Sequence, residues 1–356
     1  MRVVRVIGIL EQGGGQLSAL RLSRGLRAYG VETVRLLAGD ATPGGVALAR
    51  RYGVELETFV DPHSGDRLGL QWQARPKFAD WLAPRLADAD LVHAHMVGAW
   101  TAAAAVIEST VPLVASEHNA LTWPAGDFTA PARTAAPRVD AFFAHGPAAR
   151  DFAAGIGIAP ELILDGRSAV EGLDATPLPG LVTPRLTFTG RLHPEKGPDI
   201  LVRALGLLTR PITAYLVGDG PAAAEMDRLV AELGLTERVR RTGWVADPER
   251  YVVGSAVHVV PSREEAWSQS AVIALGLGVP VVGAAVEGLP RTLGQGRGIL
   301  VPSEDPAALA RAIDGVLDGS ARPDPRPGVA YARQFTVDRI AASYADVYAE
   351  ARARRT

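Results

Sequence analysis

Two successive series of short apolar runs, each alternating with helical patterns, constrain the fold of this chain more than any other feature. In the first series the runs cover residues 3–10, 33–37, 91–93, 113–116 and 141–144. In the second series they cover residues 186–189, 214–217, 257–260, 279–282 and 299–301. Alternating strands and helices are typical of a parallel, doubly wound sheet. The sequence therefore predicts an α/β protein with two Rossmann-like domains.

A passage rich in Gly and Pro, between residues 166 and 184, separates the two series and predicts a linker. A length of 356 residues is also comfortable for two domains of ordinary size. We expect an N-terminal domain over residues 1–172 and a C-terminal domain over residues 185–335. The first helical pattern covers residues 17–29, and a last helix is predicted over residues 336–351.

Composition narrows the class of protein. A net charge of -2 argues against nucleic acid as the main partner. No apolar run approaches the roughly 20 residues of a membrane span, so integral membrane association is not expected. The first ten residues are strand-like and do not resemble a signal peptide. The chain has no cysteine, which excludes a disulfide framework and a thiol nucleophile and fits a cytoplasmic protein.

The stretch 186–197, Leu-Thr-Phe-Thr-Gly-Arg-Leu-His-Pro-Glu-Lys-Gly, carries the clearest chemistry. An apolar run ends at Gly190, and Arg191 and Lys196 follow it just before a helical pattern. A loop from strand to helix lies where ligands collect and where helix N–H groups are free. Arg can bind a phosphate bidentately, while Lys acts as a point charge. The loop predicts a nucleotide diphosphate site; the alternative is an Arg and a Lys on a solvated turn.

Four later motifs follow this loop in a fixed order. They are Val-Gly-Asp-Gly-Pro at 217–221, Thr-Gly-Trp-Val at 242–245, Pro-Ser-Arg-Glu-Glu at 261–265 and Gly-Val-Pro-Val-Val-Gly at 278–283. Together with the loop they resemble the C-terminal half of the retaining glycosyltransferases of family 4. The resemblance covers roughly residues 1–345. It implies the GT-B fold, in which two Rossmann-like domains with doubly wound parallel sheets face a central cleft.

The resemblance also implies a nucleotide-diphosphate sugar as donor, with a UDP-sugar as the first expectation. Catalytic roles are implied for four residues: His118, Glu265, Arg191 and Lys196. The implied donor-binding residues are Gly190, Arg191, Lys196, Trp244, Val245, Glu265, Trp267, Ser268, Gln269 and Ser270. Family members carry two glutamates eight residues apart, and the second position is Ile273 here. An acid often found after Gly-Leu-Pro is replaced by Arg291.

A glycine-rich loop, Gly13-Gly14-Gly15-Gln16, joins the first predicted strand to the first helix. Its backbone can approach a ligand closely and present N–H groups. The resemblance implies that Gly13, Gly14, Gln16, His118 and Asn119 bind the acceptor. The segment after His118 contains Trp123, Asp127 and Phe128, which could line an acceptor pocket or pack as an ordinary loop.

Two further histidines, His93 and His95, are expected to follow a strand, as Glu117 and His118 follow another. Such a set could ligate zinc. A structural role is favoured for His93 and His95, and neither a metal nor a cofactor is predicted.

The resulting prediction is a metal-independent retaining glycosyltransferase that acts on a hydroxyl of a small polar acceptor, for example an aminocyclitol or another secondary metabolite. A sugar-nucleotide epimerase of GT-B fold is the alternative enzyme. A non-catalytic partner protein that binds a nucleotide sugar is the alternative outside enzymology.

Overall fold

The computed structural model describes residues 1–60, 76–118 and 126–355. The chain divides into two compact units. The first unit comprises Met1–Ala169 and Val337–Thr356, and the second comprises Val170–Thr336. Residues 170–184, the larger part of the predicted linker, therefore belong to the second unit.

The first unit is built around a parallel sheet with helices on both faces. Its strands are β1 (Arg2–Leu10), β2 (Glu32–Ala41), β3 (Leu56–Thr58), β4 (Leu91–His95), β5 (Leu113–Glu117), β6 (Val139–Ala144) and β7 (Ile163–Asp165). Its helices up to this point are α1 (Gly14–Gly25), α2 (Pro43–Arg51), α3 (Pro76–Leu86), α4 (Val97–Ala104), α5 (Gly126–Ala135) and α6 (Pro147–Gly155). The strand order is β3-β2-β1-β4-β5-β6-β7, and the neighbouring strands are parallel.

The central strands of this sheet are buried along their whole length. All five residues of β4 and all five of β5 are buried, as expected of a parallel sheet covered on both faces. Phe78 and Trp100 belong to the core cluster on one face and are fully buried. Helices on both sides explain why burial is continuous along these strands rather than alternating. The polar residues that the two strands carry are buried as well: His93, His95, Ser116 and Glu117.

The second unit repeats this architecture. Its strands are β8 (Arg185–Thr189), β9 (Thr213–Val217), β10 (Val239–Gly243), β11 (Val257–Val260), β12 (Val281–Ala284) and β13 (Ile299–Val301). Its helices are α7 (Pro198–Leu207), α8 (Ala223–Glu232), α9 (Glu249–Val252), α10 (Gln269–Gly276), α11 (Leu289–Leu293), α12 (Pro306–Leu317) and α13 (Pro325–Ala332). The strand order is β10-β9-β8-β11-β12-β13, again with parallel neighbours.

The last helix, α14 (Val337–Ala353), packs within the first unit. Tyr344 stacks on Phe143 of β6 with ring centroids 3.9 Å apart. Beyond the helix, the Arg355 Nε donates to Asp140 Oδ1 at 2.8 Å, so part of the basic tail is used in packing. None of the described helices is both long enough and apolar enough to cross a membrane.

The structure corrects several predicted elements. The pattern over residues 17–29 is not one helix: α1 ends at Gly25, and a 3-10 turn, Leu26–Tyr29, ends at Gly30 with a left-handed φ of 68°. Strand β12 begins at Val281, after Pro280, because proline lacks the N–H that a ladder needs. Strands β3, β7 and β10 were not predicted; β3 and β7 have three residues each, and β10 contains two exposed arginines.

Candidate functional site

In the second unit, the loops that carry the predicted phosphate site start at a topological switch point. Strands β8 and β11 are neighbours, but the chain passes from β8 outward through β9 and β10 before it returns to β11. Because parallel strands end at the same edge of a sheet, the loops that follow Thr189 and Val260 start side by side. Open α/β sheets bind ligands at such points.

Close backbone packing fixes the shape of the 190–197 loop. The Gly190 N–H donates to Val217 O at 3.0 Å, and the Leu192 N–H donates to Asp219 O at 2.8 Å. A Cβ atom on Gly218 would lie 1.9 Å from Gly190 O. Gly197 has a left-handed φ of 62°, and a Cβ atom there would lie 2.1 Å from Pro261 O. Glycine is therefore required at both positions, and the motifs at 217–221 and 261–265 support the loop.

Lys196 and Glu265 form the ion pair at the centre of this site. The Lys196 Nζ donates to Glu265 Oε2 at 3.1 Å, and the Ser262 Oγ donates to the same oxygen at 3.4 Å. The Lys196 and Glu265 side chains are 24% and 12% exposed, respectively, so the pair is largely shielded from water. An ammonium group has three donors, and an anion placed here could take the others.

Arg191 lies on the same loop and pairs with Glu195, four residues along. The Arg191 side chain is 43% exposed, so this is a surface ion pair of small energy.

Arg263 connects the two loops, and the sequence analysis did not single it out. Its guanidinium binds both carboxylate oxygens of Asp199 at 2.8 Å, and its Nη1 donates to Pro194 O at 2.7 Å. The hydrogen bonds to Asp199 raise the pKa of Arg263 and lower the pKa of Asp199. Arg263 also pairs with Glu304. These contacts hold the 261–265 loop against the start of α7. The sequence signal that could have indicated this role is the arginine within the Pro-Ser-Arg-Glu-Glu motif.

Glu287 is a second residue that the sequence analysis missed. The Glu265 N–H donates to Glu287 Oε2 at 2.9 Å, and the Gly288 N–H donates to Glu265 O at 3.0 Å. Burial is the largest cause that raises the pKa of Glu287, and the neighbouring Glu264 and Glu265 add to it. Its backbone has a positive φ of 40°, which is uncommon for a residue other than glycine.

The 266–270 segment leads into α10. Ser268 is the N-cap residue: its Oγ accepts from the Ala271 N–H at 3.3 Å and lies 3.2 Å from Ser270 Oγ. The N–H groups at the start of Gln269–Gly276 therefore face this loop. Trp267 packs edge-on against Phe335 with centroids 5.2 Å apart. Ile273, on the same helix, is buried.

Two of the predicted donor-binding residues, Trp244 and Val245, follow β10. Gly243 has a φ of 70°, and its carbonyl accepts from the Gly218 N–H at 3.0 Å. Trp244 is 38% exposed, which is unusual for so large an apolar side chain, and Val245 is half-buried. An exposed indole beside a strand end leaves an aromatic face available for a planar ligand.

In the first unit, the glycine-rich loop and His118 lie together. Gly13 is the N-cap of α1, and the Gln16 Nε2 donates to Ile9 O at 3.2 Å. A Cβ atom on Gly15 would lie 3.5 Å from Cγ and 3.6 Å from Nδ1 of His118, so the loop lies next to this side of the imidazole. Helix α1 begins at Gly14, so its first turn lies beside His118.

The structure describes only some of the remaining residues that were predicted for the acceptor side. Asn119 and Trp123 lie outside the described residues, as does the side chain of Asp127. Phe128 packs against the core of the first unit, which agrees with the ordinary packing alternative.

His93 and His95 lie within β4 and do not follow it, because this strand continues to its second histidine. Both are buried, and their rings stack with centroids 4.2 Å apart. Burial lowers the pKa of each well below the usual value. His145 stacks on His118 at 3.9 Å. Within the described ranges, no three or more His, Cys, Asp or Glu side chains are arranged to hold a metal ion.

Glu117, the last residue of β5, is a buried carboxyl. Burial raises its pKa to about 8, and the Trp100 indole and the amides of His118 and Val97 oppose this rise. The group is therefore largely protonated at neutral pH.

Family models match both halves of the chain. Residues 12–164 match the model described as Glycosyltransferase Family 4, and residues 183–319 match the model described as Glycosyl transferases group 1. Together the two matches cover well over half of the chain.

Curated relatives match over part of their length. The D-inositol 3-phosphate glycosyltransferase of Streptomyces avermitilis is 34% identical over 205 residues, which is 52% of this chain and 43% of that protein. The 2-deoxystreptamine glucosyltransferase of Streptomyces kanamyceticus is 38% identical over 156 residues, or 42% of this chain and 39% of that protein. The matched region thus spans less than half of either relative.

Solved structures match over nearly the whole chain. Anabaena HepE in complex with UDP and glucose has a TM-score of 0.78 and 22% identity, covering 97% of this chain and 98% of that chain. The sucrose-phosphate synthase of Thermosynechococcus elongatus has a TM-score of 0.78 and 20% identity, covering 99% and 100%. With a parallel sheet in each unit, these matches confirm the predicted fold class. The chain belongs to glycosyltransferase family 4 and has the GT-B fold of that family.

Proposed function

We propose that this protein transfers a sugar from a nucleotide-diphosphate donor to a hydroxyl of a small polar acceptor. UDP is the first nucleotide to test. The observation that carries the proposal is the Lys196–Glu265 pair at the switch point of the second sheet, with Arg191 on the same loop. Relatives named for inositol phosphate and 2-deoxystreptamine, and structural neighbours bound to UDP, agree with it. A cyclitol or aminocyclitol is accordingly the acceptor class proposed.

In the proposed mechanism, Lys196 and Arg191 neutralise the charge that develops on the diphosphate as the glycosidic bond breaks. Arg191 exchanges its surface partner Glu195 for a phosphate oxygen. The N–H groups at the start of α10, with Ser270, add donors on the neighbouring loop. Preorganised donors of this kind supply the largest part of many enzymes' rate enhancement. We propose that these residues stabilise the leaving group without a metal ion.

Glu265 orients the donor sugar and stabilises the positive charge of an oxocarbenium-like state. Its 12% exposed side chain is fixed by Lys196 and Ser262, so little reorganisation is needed during the reaction. The leaving diphosphate keeps an oxygen free to accept the proton of the acceptor hydroxyl. Attack from the same face of the sugar then preserves its anomeric configuration. Gly190 and the turn of Trp244 and Val245 complete the donor site in this proposal, with Trp267, Ser268 and Gln269.

The acceptor side is proposed to be the loop of Gly13, Gly14 and Gln16, with His118 and Asn119. The short distance that a Cβ atom on Gly15 would have to the His118 ring supports a single site for the loop and the imidazole. Ile273, where the family has its second glutamate, cannot accept hydrogen bonds from a ribose. A protein that binds a nucleotide sugar without turning it over is therefore the second candidate.

Binding and turnover test these two functions together. Calorimetric titration with UDP, GDP, ADP and dTDP, without added metal, is expected to show selective binding of one diphosphate. Lys196→Ala should then lower turnover of the matching donor by roughly 100-fold, the usual cost of one preorganised charge-stabilising donor. The matched control is Lys77→Ala, because Lys77 is the other lysine of the chain and lies exposed on α3.

Arg191→Ala is expected to lower turnover by roughly the same factor as Lys196→Ala. Near-normal turnover in both variants contradicts the proposed phosphate site. Selective binding without turnover of any acceptor favours the binding protein, and conversion of donor alone indicates an epimerase.

A further inference from the structure

A connected set of buried polar side chains leads to His118 in the first unit. The Arg5 side chain is fully buried, and its Nη1 lies 2.8 Å from His93 Nδ1 and 3.3 Å from His95 Nε2. The other ring nitrogen of His95, Nδ1, lies 3.0 Å from His118 Nε2. Three strands contribute: Arg5 from β1, His93 and His95 from β4, and His118 from the end of β5.

The donor chemistry of Arg5 fixes the protonation of His95. A guanidinium can only donate hydrogen bonds. The Nε2 atom of His95 must therefore accept, and a neutral imidazole that accepts at one nitrogen carries its proton on the other. His95 consequently holds its proton at Nδ1 and donates it to His118 Nε2.

The same reasoning extends to His118. Its Nε2 accepts from His95, so a neutral His118 carries its proton at Nδ1. The Nδ1 atom lies beside the glycine-rich loop, since a Cβ atom on Gly15 would be 3.6 Å from it. Burial lowers the pKa of His118 to about 4, which keeps the ring neutral near pH 7.

His93 is held in the opposite state, which makes the arrangement distinctive. Its Nδ1 accepts from Arg5 at 2.8 Å and lies 2.6 Å from Tyr348 Oη, whose oxygen in turn accepts from Arg5 Nη2 at 3.1 Å. The proton of His93 is thus at Nε2, from which it is donated to Ser116 Oγ at 2.8 Å. One guanidinium therefore sets opposite tautomers in two histidines of the same strand.

We propose that Arg5 and His95 are positioning residues that lock His118 as its Nδ1–H tautomer, so that His118 donates a hydrogen bond to a substrate oxygen at the glycine-rich loop. This inference rests on the proposed function for the identity of the substrate. In this state His118 does not serve as a general base, because its basic nitrogen is occupied by His95. The proton of the acceptor hydroxyl must then leave to another group, as the proposed role of the diphosphate requires.

Nitrogen NMR of the protein with labelled imidazoles tests the tautomers without any substrate. Near pH 7 we expect the Nδ1–H form for His95 and His118 and the Nε2–H form for His93, with signals assigned by single His→Gln variants. Arg5→Met should convert His95 and His118 to mixtures of both forms. An Nε2–H form of His118 in the unaltered protein overturns the proposal.

Kinetics of His118 variants provide a second test, which does not require that Arg5→Met folds. An asparagine amide occupies the place of Nδ1, whereas a glutamine amide reaches the place of Nε2. His118→Asn is therefore expected to keep kcat within about tenfold, while His118→Gln falls by about 100-fold, as His118→Ala does. The reverse order overturns the proposal. If no nucleotide sugar is turned over at all, the proposed function fails while the NMR result still decides the tautomers.

Discussion

At the scale of single residues, Glu265 is held in place by two donors that share one carboxylate oxygen. Lys196 and Ser262 both approach Oε2, and the backbone of Glu265 is held by Glu287 and Gly288. The family resemblance predicted Glu265, as the first of the two glutamates that family members carry eight residues apart. It did not predict Glu287, because a glutamate in a loop between a strand and a short helix has no distinguishing pattern.

Glu265→Gln is expected to lower kcat by about 100-fold while UDP affinity changes by less than about threefold. The amide keeps the size of the side chain but loses the charge that would stabilise a cationic sugar, and Lys196 stays available to phosphate. Steady-state kinetics and calorimetry of the same variant measure the two quantities. An equal loss in both would contradict a role for Glu265 at the sugar. Glu304→Gln is the control for altered loop structure, because Glu304 pairs with Arg263 of the 261–265 loop.

The raised pKa of Glu117 predicts how the free energy of unfolding depends on pH. Its pKa is about 8 in the folded protein, against 4.5 for an unperturbed glutamate, so the folded state binds the proton more tightly than the unfolded state. The free energy of unfolding therefore falls as pH rises from about 4.5 to 8. The His118 pKa of about 4, against 6.5 unperturbed, acts in the other direction and removes stability as pH falls from 6.5 to 4.

Glu117→Gln should abolish the first of these two effects. We expect the variant to gain stability relative to the unaltered protein progressively between pH 4.5 and pH 8, by several kcal/mol over that range. Urea denaturation at a series of pH values measures the difference. A difference that does not vary with pH would show that Glu117 titrates normally.

At the scale of elements, Gly197 joins the 190–197 loop to α7. Substitutions at this position measure how much the close packing of loops contributes to the free energy of unfolding. Its φ of 62° opposes a side chain, and so does the Pro261 carbonyl oxygen, which would lie 2.1 Å from a Cβ atom at this position. Gly234 has a nearly equal φ of 66°, but a Cβ atom there would meet nothing within 4 Å. The two glycines therefore share the backbone cost and differ only in the contact.

Gly234→Ala is expected to cost about 1 kcal/mol, the penalty of a left-handed residue with a side chain. Gly197→Ala should cost about 3 kcal/mol, because the carbonyl must also move. The displaced loop would carry Lys196 with it, so diphosphate affinity should fall in this variant alone. Urea denaturation and calorimetry check both effects, and equal costs at the two positions would refute a tight loop contact.

At the scale of the whole molecule, the chain leaves the first unit after Ala169 and returns to it at Val337. Tyr348 of α14 is fully buried, and its hydroxyl lies within hydrogen-bond distance of Arg5 and His93. The end of the sequence thus completes a polar cluster that begins at residue 5.

Tyr348→Phe is expected to lower the stability of the first unit by about 1–3 kcal/mol, because it leaves buried donors and acceptors unpaired. Tyr29→Phe is the matched control: its hydroxyl donates to Asp338 O at 3.3 Å, but the side chain is exposed. Amide hydrogen exchange should show faster opening in β1 and β4, with β8 and β11 unaffected. Loss of protection in both units would indicate that they unfold together.

Much of this molecule could be predicted from the sequence. The apolar runs located most strands, since strands buried on both faces of a parallel sheet are mostly apolar along their length. They missed β3, β7 and β10, which are short or polar and lie at the sheet edges. Among the site residues, Arg191 and Lys196 were recognisable because they follow a glycine between a strand and a helix. Their roles in catalysis, like those of Glu265 and His118, stay predictions.

By itself, then, the sequence determined the fold class, the family and the loops at which the proposed chemistry takes place, because these depend on local patterns of apolar, glycine and charged residues. Only the tertiary structure decided which charged and polar side chains meet. Lys196 reaches Glu265 across 69 positions, and Arg5 reaches Tyr348 across 343 positions. Such partners follow from the order of strands in a sheet, which brings distant loops and helices together. No short-range pattern in the chain specifies this strand order.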